Sequence, residues 1–338
     1  ETLQSASVLG QRFSLEDLEG LMQTSSVDCD TLIKNRLLRP EGAEFLFAHA
    51  LVREGVYASL LSDRRKELHR RAADWYALRD SALHAEHLER AEDPGAADAY
   101  LAAANAEVEQ FHFTNARQLV EKGIRIAKDR HQIFRLLHAK GEILLDISDL
   151  EDALNVFGEL VEMAETGPER CQALTGLASL MRLTDKLDDA LSLLDEAQVL
   201  GEAHGMREEL SKLHHLRGNL FFPLGRTEDC FAEHQKALDY AKKTGLVEAE
   251  ARALGGLGDA EYASGRMRAA HAYFLNCLEL SREHGFTRIE VANANMVGGG
   301  ATFYYLNDLD SALEASRYAA DIGEKVGMTR AALLAHVS

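Results

Sequence analysis

Six small residues recur along the chain at intervals of 37 to 42 residues, and a second small residue follows each of them at a fixed distance. The first series is Ala104, Gly141, Ala178, Gly218, Gly258 and Gly300. Twelve residues later come Ala116, Ala153, Ala190, Cys230, Ala270 and Ala312. A period of this length predicts a stack of two-helix units, because each unit can bury its apolar face only against its neighbours. The chain is therefore expected to be all-α, a helical solenoid that displays surface for a partner.

The apolar pattern inside each unit predicts two helices with a sharp break between them. Leu210, Leu213, Leu216 and Leu220 follow the three- and four-residue spacing of one helical face. Glycine readily takes the positive φ that ends a helix, and it stands at the expected ends: Gly205, Gly225, Gly245, Gly265 and Gly285. The sequence TRIE at 287–290 reads as a capping box that opens a further helix. The three glycines at 298–300 indicate either a hinge or tight helix packing.

These spacings resemble the tetratricopeptide repeat (TPR) family, in which a small residue is followed by a turn and then by an alanine. The turn falls here at Gly225, Gly265 and Asn307. The units are longer than the usual repeat of about 34 residues. The resemblance covers roughly residues 95–338 and implies a right-handed α-α superhelix. About six helical repeats are expected in residues 80–338, with the last helix truncated.

The first 79 residues have a different pattern. Short helical stretches are predicted near 14–23 and 28–38, followed by a turn at Leu38–Gly42 and a strand at Glu44–Phe47. Amphipathic helices are predicted at about 49–61 and 63–79. Helices followed by a strand predict a small winged-helix-like domain over residues 1–79.

Two stretches of this N-terminal part resemble STAND-type signalling ATPases. The stretch from Phe45 to Arg71, FLFAHALVREGVYASLLSDRRKELHRR, is similar to the segment that follows their nucleotide-binding module, and Ala6–Met22 is similar to the opening helices of the same segment. The resemblance implies a multidomain bacterial signal-transduction ATPase with superhelical repeats after the winged helix. Many bacterial members also carry an adenylate cyclase domain or a LuxR-type DNA-binding domain.

The resemblance places nucleotide chemistry outside this chain. The sequence has no GxxxxGK[ST] motif, so ATP and Mg²⁺ would belong to the parent protein and no cofactor or catalytic residue is expected here. The chain begins at Glu1 without a methionine and ends inside a predicted helix. It is therefore expected to be a piece of a longer protein.

The composition disfavours nucleic acid and membrane partners. The formal net charge is −18, and a surface this acidic repels phosphate and anionic lipid. The sequence contains no run of 18 apolar residues, so no membrane-spanning helix is predicted. The four cysteines are far apart and form no CxxC pair, which indicates a reducing compartment and a cytoplasmic location.

A basic stretch and two histidine pairs are candidates for a nucleic-acid site and a metal site. The basic stretch Arg64–Arg71 indicates either nucleic-acid contact or the solvated face of a helix, so a DNA-binding transcriptional regulator is the alternative function. Zinc needs three or four converging ligands. The histidine pairs His84/His87 and His214/His215 have no third ligand at metal spacing, so no metal site is expected.

The repeat register also predicts a binding groove, because the first helix of each TPR pair lines the concave surface. Cations recur on this face in a chain that is acidic overall, and aromatic side chains stand beside them. The predicted groove residues are Arg135, Arg182, Lys212, His215, Asn219, Phe222, Arg252, Tyr262, Tyr304 and Tyr305. They would suit a protein or an acidic peptide, or the nucleotide-binding module of the parent protein. In the alternative interpretation the cations pair with Glu142 and Asp259 and bind nothing.

Overall fold

A computed structural model describes residues 1–24, 26–297 and 309–325. Its internal contacts divide the chain into two compact units, Glu1–Ile143 and Leu144–Ser338. The first elements are α1 (Thr2–Leu9), β1 (Arg12–Ser14), α2 (Leu15–Met22), α3 (Asp30–Lys34), β2 (Leu38–Glu41), β3 (Glu44–Phe47), α4 (Ala50–Ala58), α5 (Ser62–Tyr76) and α6 (Ser81–Arg90). The later helices are α7 (Ala96–Glu109), α8 (Phe113–Ile126), α9 (Arg130–Asp146), α10 (Leu150–Met163), α11 (Gly167–Leu183), α12 (Leu187–Ala203), α13 (Arg207–Phe221), α14 (Thr227–Thr244), α15 (Val247–Ala263), α16 (Met267–His284), α17 (Thr287–Asn295) and α18 (Leu309–Lys325).

The predicted all-α solenoid is confirmed. From α10 to α18 each helix packs against the next one, as expected for stacked helix pairs. The first helices of successive pairs also touch directly, since α13 contacts both α11 and α15, and α15 contacts α17. The first helices therefore form one continuous layer.

The recurring small residues lie where the paired helices approach most closely. Ala178 and Ala190 are fully buried in one apolar cluster between α11 and α12. A Cβ atom on Gly258 would lie 2.5 Å from Cε1 of Phe274, and one on Gly218 would lie 2.5 Å from Nε2 of His234. These positions are small because the second helix already fills the space.

The break inside each pair keeps a positive φ even where glycine is absent. Gly225 and Gly265 have φ of 68° and 74°, as predicted. Seven residues after the earlier small residues the same conformation occurs at Phe111, Ser148 and Asp185, with φ of 60° to 62°. A left-handed backbone is disfavoured for most side chains, so the fold imposes this turn where the sequence gives little signal for it.

The N-terminal unit contains a three-stranded antiparallel sheet in the order β1-β3-β2. The prediction of a turn over Leu38–Gly42 was wrong for Leu38–Glu41, which pairs with Glu44–Phe47 as strand β2. Pro40 is compatible with this strand because β2 lies at the edge of the sheet, where an N–H donor is dispensable. Gly42, with φ of 64°, marks the turn itself. The strand at Glu44–Phe47 is confirmed, while the winged-helix assignment stays a prediction.

The capping box predicted at Thr287 was wrong. Helix α17 does begin at Thr287, but its N-cap is Phe286, which has no side-chain capping bond. The Glu290 carboxylate accepts a hydrogen bond of 2.6 Å from Nε of Arg282 instead of closing a box. The triple glycine at 298–300 lies outside the described residues.

Two helical glycines provide a matched test of the close approach. Gly258→Ala should lower the free energy of unfolding by about 1–3 kcal/mol, because the new methyl group overlaps Phe274. Gly158→Ala on α10 should leave stability unchanged or raise it by up to about 1 kcal/mol, since no atom lies within 4 Å of its added Cβ. Urea unfolding of both variants measures the difference. Equal effects would contradict the packing argument.

Candidate functional site

The candidate site is the layer of first helices in the second unit, where α11, α13 and α15 lie side by side. Arg182 comes from α11, His215 and Asn219 from α13, and Arg252 from α15. Their proximity is visible in the electrostatics, because the charges of both arginines act on the His215 ring. We call the surface carried by these three helices the groove. It brings together four of the predicted residues.

Most of the predicted cations are paired with acids. Lys212 Nζ lies 3.7 Å from Glu208 Oε1 on its own helix. Arg252 is bonded in the same way to Glu248, with 3.2 Å between its Nε and Oε1. Arg135 lies in the first unit and forms a 2.7 Å ion pair with Asp98. The partners named by the alternative interpretation, Glu142 and Asp259, are not those of Lys212 and Arg252.

Arg182 differs from these cations. Its side chain forms no hydrogen bond or ion pair with a described residue, and its Nε is completely buried without a hydrogen-bond partner. Burial lowers the pKa of its guanidinium group. A positive charge that is partly removed from water and has no counter-charge is costly. Arg182 is therefore the cation of the groove most available to an anionic group.

His215 and Asn219 form a small polar pair next to Arg182. The amide nitrogen of Asn219 lies 3.1 Å from Nε2 of His215, while the other ring nitrogen, Nδ1, is buried and unpartnered. The pKa of His215 lies well below its ordinary value of 6.5. Burial is the main cause, and the charges of His234, Arg252 and Arg182 lower the pKa further. His215 is therefore neutral near pH 7.

His234 of α14 lies behind His215, with 5.1 Å between the ring centroids. It is fully buried, and neither of its ring nitrogens has a hydrogen-bond partner. Burial lowers its pKa to about 4. Our sequence reasoning missed His234, although a signal exists: the equivalent positions in other units hold Phe157, Leu194 and Phe274. A histidine at a repeat position that is otherwise apolar indicates that the core is locally polar at this point.

The sequence suggests Asp259 only as a neutralising partner, yet its carboxyl group forms no hydrogen bond or ion pair with a described residue. It is partly buried on α15, one residue after the small Gly258. Burial raises the pKa of its carboxyl group from 3.8 to about 7. Near neutral pH this carboxyl group therefore exchanges a proton with the solvent.

The predicted aromatic groove residues that the structure describes lie in different environments. Phe222 caps the C-terminus of α13 and is 40% exposed. Tyr262 packs against the apolar cluster that includes Ala270 and Phe274. Tyr304 and Tyr305 lie outside the described residues. The row of aromatic side chains beside the cations thus stays a prediction.

A buried ionic network connects α13 to the following helix, α14. Glu233 of α14 accepts a 2.7 Å hydrogen bond from Nδ1 of His214 and lies 3.4 Å from Nη1 of Arg217. Burial alone would raise the pKa of Glu233, but bonds from His214 and Lys236 and the charge of Arg217 lower it to about 2. This network fixes the position of the helix that carries His215 and Asn219.

An ion pair connects distant helices of the second unit. Both guanidinium nitrogens of Arg288, near the start of α17, bind the carboxylate of Asp146 at the end of α9, with 2.9 Å between Nη1 and Oδ2. The two residues are 142 positions apart in the chain. The contact therefore joins the first residues of the second unit to the start of α17 near its other described end.

The basic stretch on α5 is largely paired with acids. Arg64 binds both Glu67 and Glu1, at 2.8 and 3.0 Å, and Lys66 binds Glu92 at 2.6 Å. Arg65 lies over the ring of Tyr57. No specific contact in the described part of the chain favours nucleic-acid binding by this helix.

The described residues contain no group of three metal-ligating side chains. No described helix is long and apolar enough to cross a membrane.

Comparison with known proteins agrees with this geometry. Residues 209–283, which include α13 to α16, match the family model described as tetratricopeptide repeat. An uncharacterized protein of Rhizobium meliloti (strain 1021) is 24% identical over 379 residues, covering 96% of this chain and 35% of that protein. The chain therefore spans about a third of the length of this curated relative.

Three solved structures share this fold. A Signal Transduction ATPase with Numerous Domains (STAND) protein with a tetratricopeptide repeat sensor, from Pyrococcus horikoshii, superposes with a TM-score of 0.69 and 17% identity, over 98% of this chain and 52% of that chain. Aspartyl phosphate phosphatase F from Bacillus subtilis gives a TM-score of 0.58 at 14% identity, over 91% and 79% of the two chains. A Rap protein complexed with Competence and Sporulation Factor gives 0.55 at 13%, over 85% and 88%. The chain thus has a TPR-like protein-interaction fold.

The raised pKa of Asp259 predicts a pH-dependent stability difference. Folding favours the protonated carboxyl group, so its contribution is fully present below about pH 4 and is lost as the pH rises to about 7. Asp259→Asn should therefore raise the melting temperature relative to the wild type at pH 8 and have little effect at pH 4. Asp239→Asn, at an exposed position of α14, is the control. A difference for Asp259→Asn that is the same at both pH values would contradict the assignment.

Proposed function

We propose that this chain is the sensor and protein-interaction segment of a multidomain bacterial signal-transduction ATPase, and that its groove binds a protein or an acidic peptide. The observation that carries the proposal is Arg182, a partly buried cation without a described partner in a protein of net charge −18. Such a group favours an anionic ligand, because a ligand carboxylate would supply the missing counter-charge. The TPR-like fold supports the same role, since TPR proteins bind proteins or peptides.

The parent protein is proposed to supply the nucleotide chemistry. The chain covers 52% of a STAND protein and 35% of its curated relative, so both are considerably longer than this segment. The likeness of Phe45–Arg71 to the segment after a nucleotide-binding module supports a place behind such a module. The segment itself would have no catalytic role, and the nucleotide-binding module would be a second, intramolecular partner.

The proposed mechanism is a shift between two states of the parent protein. A partner that binds the groove more tightly in one state displaces the equilibrium toward that state. The nucleotide switch would then respond by the same coupling free energy. An output domain, such as an adenylate cyclase, would read the switch in the cytoplasm.

Charge reversal in the groove tests the proposal. The probe is a synthetic array of extended peptides of 15 residues with graded Asp and Glu content. The wild type should bind a subset of acidic peptides, and Arg182→Glu with Arg252→Glu should weaken that binding at least tenfold, because repulsion replaces attraction. Rising salt should weaken wild-type binding in the same direction.

The matched control reverses two charges outside the groove. Lys243→Glu on α14 with Arg268→Glu on α16 changes the net charge equally, and both side chains are exposed. This control should keep wild-type affinity. If the groove variant binds the peptides as tightly as the wild type, the groove is not the binding surface. The same conclusion follows if the groove variant and the control lose affinity equally.

A further inference from the structure

Buried polar atoms without a hydrogen-bond partner are concentrated at His215 and two residues near it, Arg182 on the groove helix α11 and His234 on α14, whose ring lies 5.1 Å from that of His215. In the described part of the chain the side-chain atoms of this kind are Gln11 Oε1, Arg182 Nε, His215 Nδ1, Arg217 Nε, His234 Nδ1, His234 Nε2 and Asn295 Oδ1. Four of these seven belong to Arg182, His215 and His234. Native structures leave few such groups, and each one indicates strain, an ion, water or a ligand. Their concentration at one place points to a ligand site.

The hydrogen-bond roles of His215 follow from its neighbour. An amide nitrogen can only donate, so Asn219 Nδ2 donates to Nε2 of His215 over 3.1 Å. A neutral imidazole that accepts at Nε2 carries its proton on Nδ1. The buried and unpartnered Nδ1 of His215 is therefore an N–H donor.

Arg182 supplies a second unsatisfied donor. Its Nε always carries a hydrogen, and this atom is buried without a partner. Two unsatisfied donors require an acceptor, and the positive charge of Arg182 requires an anion. Carboxylate and phosphate groups combine both properties, and arginine binds their oxygens through charge-assisted hydrogen bonds.

Arg217 shows what a satisfied arginine looks like in the same unit. Its Nε is also unpartnered, but its other nitrogens bind Asp195 at 2.9 Å and Gln198 at 2.5 Å, and Glu233 lies 3.4 Å away. Its charge is therefore balanced within the protein. Arg182 has no such acids among the described residues, so the groove and not the ionic network is the place for an added anion.

We propose that Arg182 and His215 form an oxyanion-binding subsite, in which the Arg182 Nε–H and the His215 Nδ1–H donate to one carboxylate or phosphate group of a ligand. Asn219 is a positioning residue that holds His215 in the required tautomer. His234 forms the wall behind His215, and the absence of a Cβ atom on Gly218 and Gly256 makes room for its ring. The inference rests on the proposed function only in placing the partner in the groove.

Side-chain NMR of ¹⁵N-histidine-labelled protein tests the subsite directly. Inorganic phosphate and acetate are titrated separately at constant ionic strength, with chloride as the balancing anion. The His215 signals, identified by their loss in His215→Phe, should shift and saturate with at least one of the two anions. The phosphate and acetate arms then distinguish a phosphate-bearing ligand from a carboxylate-bearing one. A shift that rises linearly, or that chloride produces equally, would overturn the proposal.

Variants of Arg182 separate a specific site from general attraction. Arg182→Gln should weaken the saturating anion at least tenfold, and Arg182→Lys, which keeps the charge but lacks the Nε–H, should weaken it by about threefold. Arg268→Gln is the matched control and should leave the binding nearly unchanged, because Arg268 is exposed on α16, outside the groove. Circular dichroism establishes that each variant is folded. Equal affinity in the wild type and both Arg182 variants would overturn the subsite.

This result is independent of the peptide experiment. Peptides that bind the groove equally well with Arg182→Gln alone, but not with both arginines reversed, would overturn the subsite and leave the proposed function standing. The opposite result is saturable anion binding at His215 while no peptide binds through the groove. It would support the subsite and contradict the proposed function.

Discussion

The close approach of paired helices is the constraint on which the rest of this structure depends. Phe274 lies so near Gly258 that a single methyl group has no room between them. The same contact at Ala178 and Ala190 recurs with full burial. Because interiors are packed as densely as organic crystals, these contacts fix the separation of each pair. The first helices are then held side by side, and the groove exists because they form one layer.

The groove contrasts with the remainder of the polar structure. Elsewhere in the second unit, buried charges are balanced by partners, as in the network of Glu233, His214 and Arg217. Such networks contribute little net stability but are expensive to break. At Arg182 and His215 the chain instead keeps desolvated donors without partners in the described structure. A protein tolerates that cost most readily where a ligand removes it.

The repeat register predicted the fold well, because the apolar spacing and the small residues depend on local geometry alone. The face assigned to Arg182, His215 and Asn219 was derived from the same register, and its role as a binding groove stays a prediction. The register could not predict which cations are paired, since Glu208 and Glu248 lie on the same helices as Lys212 and Arg252 and only rotamers decide the contact. The left-handed turns at Phe111 and Ser148 were missed because neither residue type favours that backbone. Strand β2 was missed because Pro40 suggests a turn unless the edge position is known.

The contact between Asp146 and Arg288 could not be read from the sequence either, because it joins side chains that are 142 positions apart. It changes the thermodynamic description of the array. A solenoid is usually treated as a one-dimensional chain of elements, in which each repeat senses only its immediate neighbours. A bidentate link between Asp146 and Arg288 adds a long-range term within the second unit, so loosening the surroundings of either residue alters the energy of the other. Since both side chains are partly exposed, that term is modest and falls with ionic strength, and the cooperativity of the second unit acquires a dependence on salt.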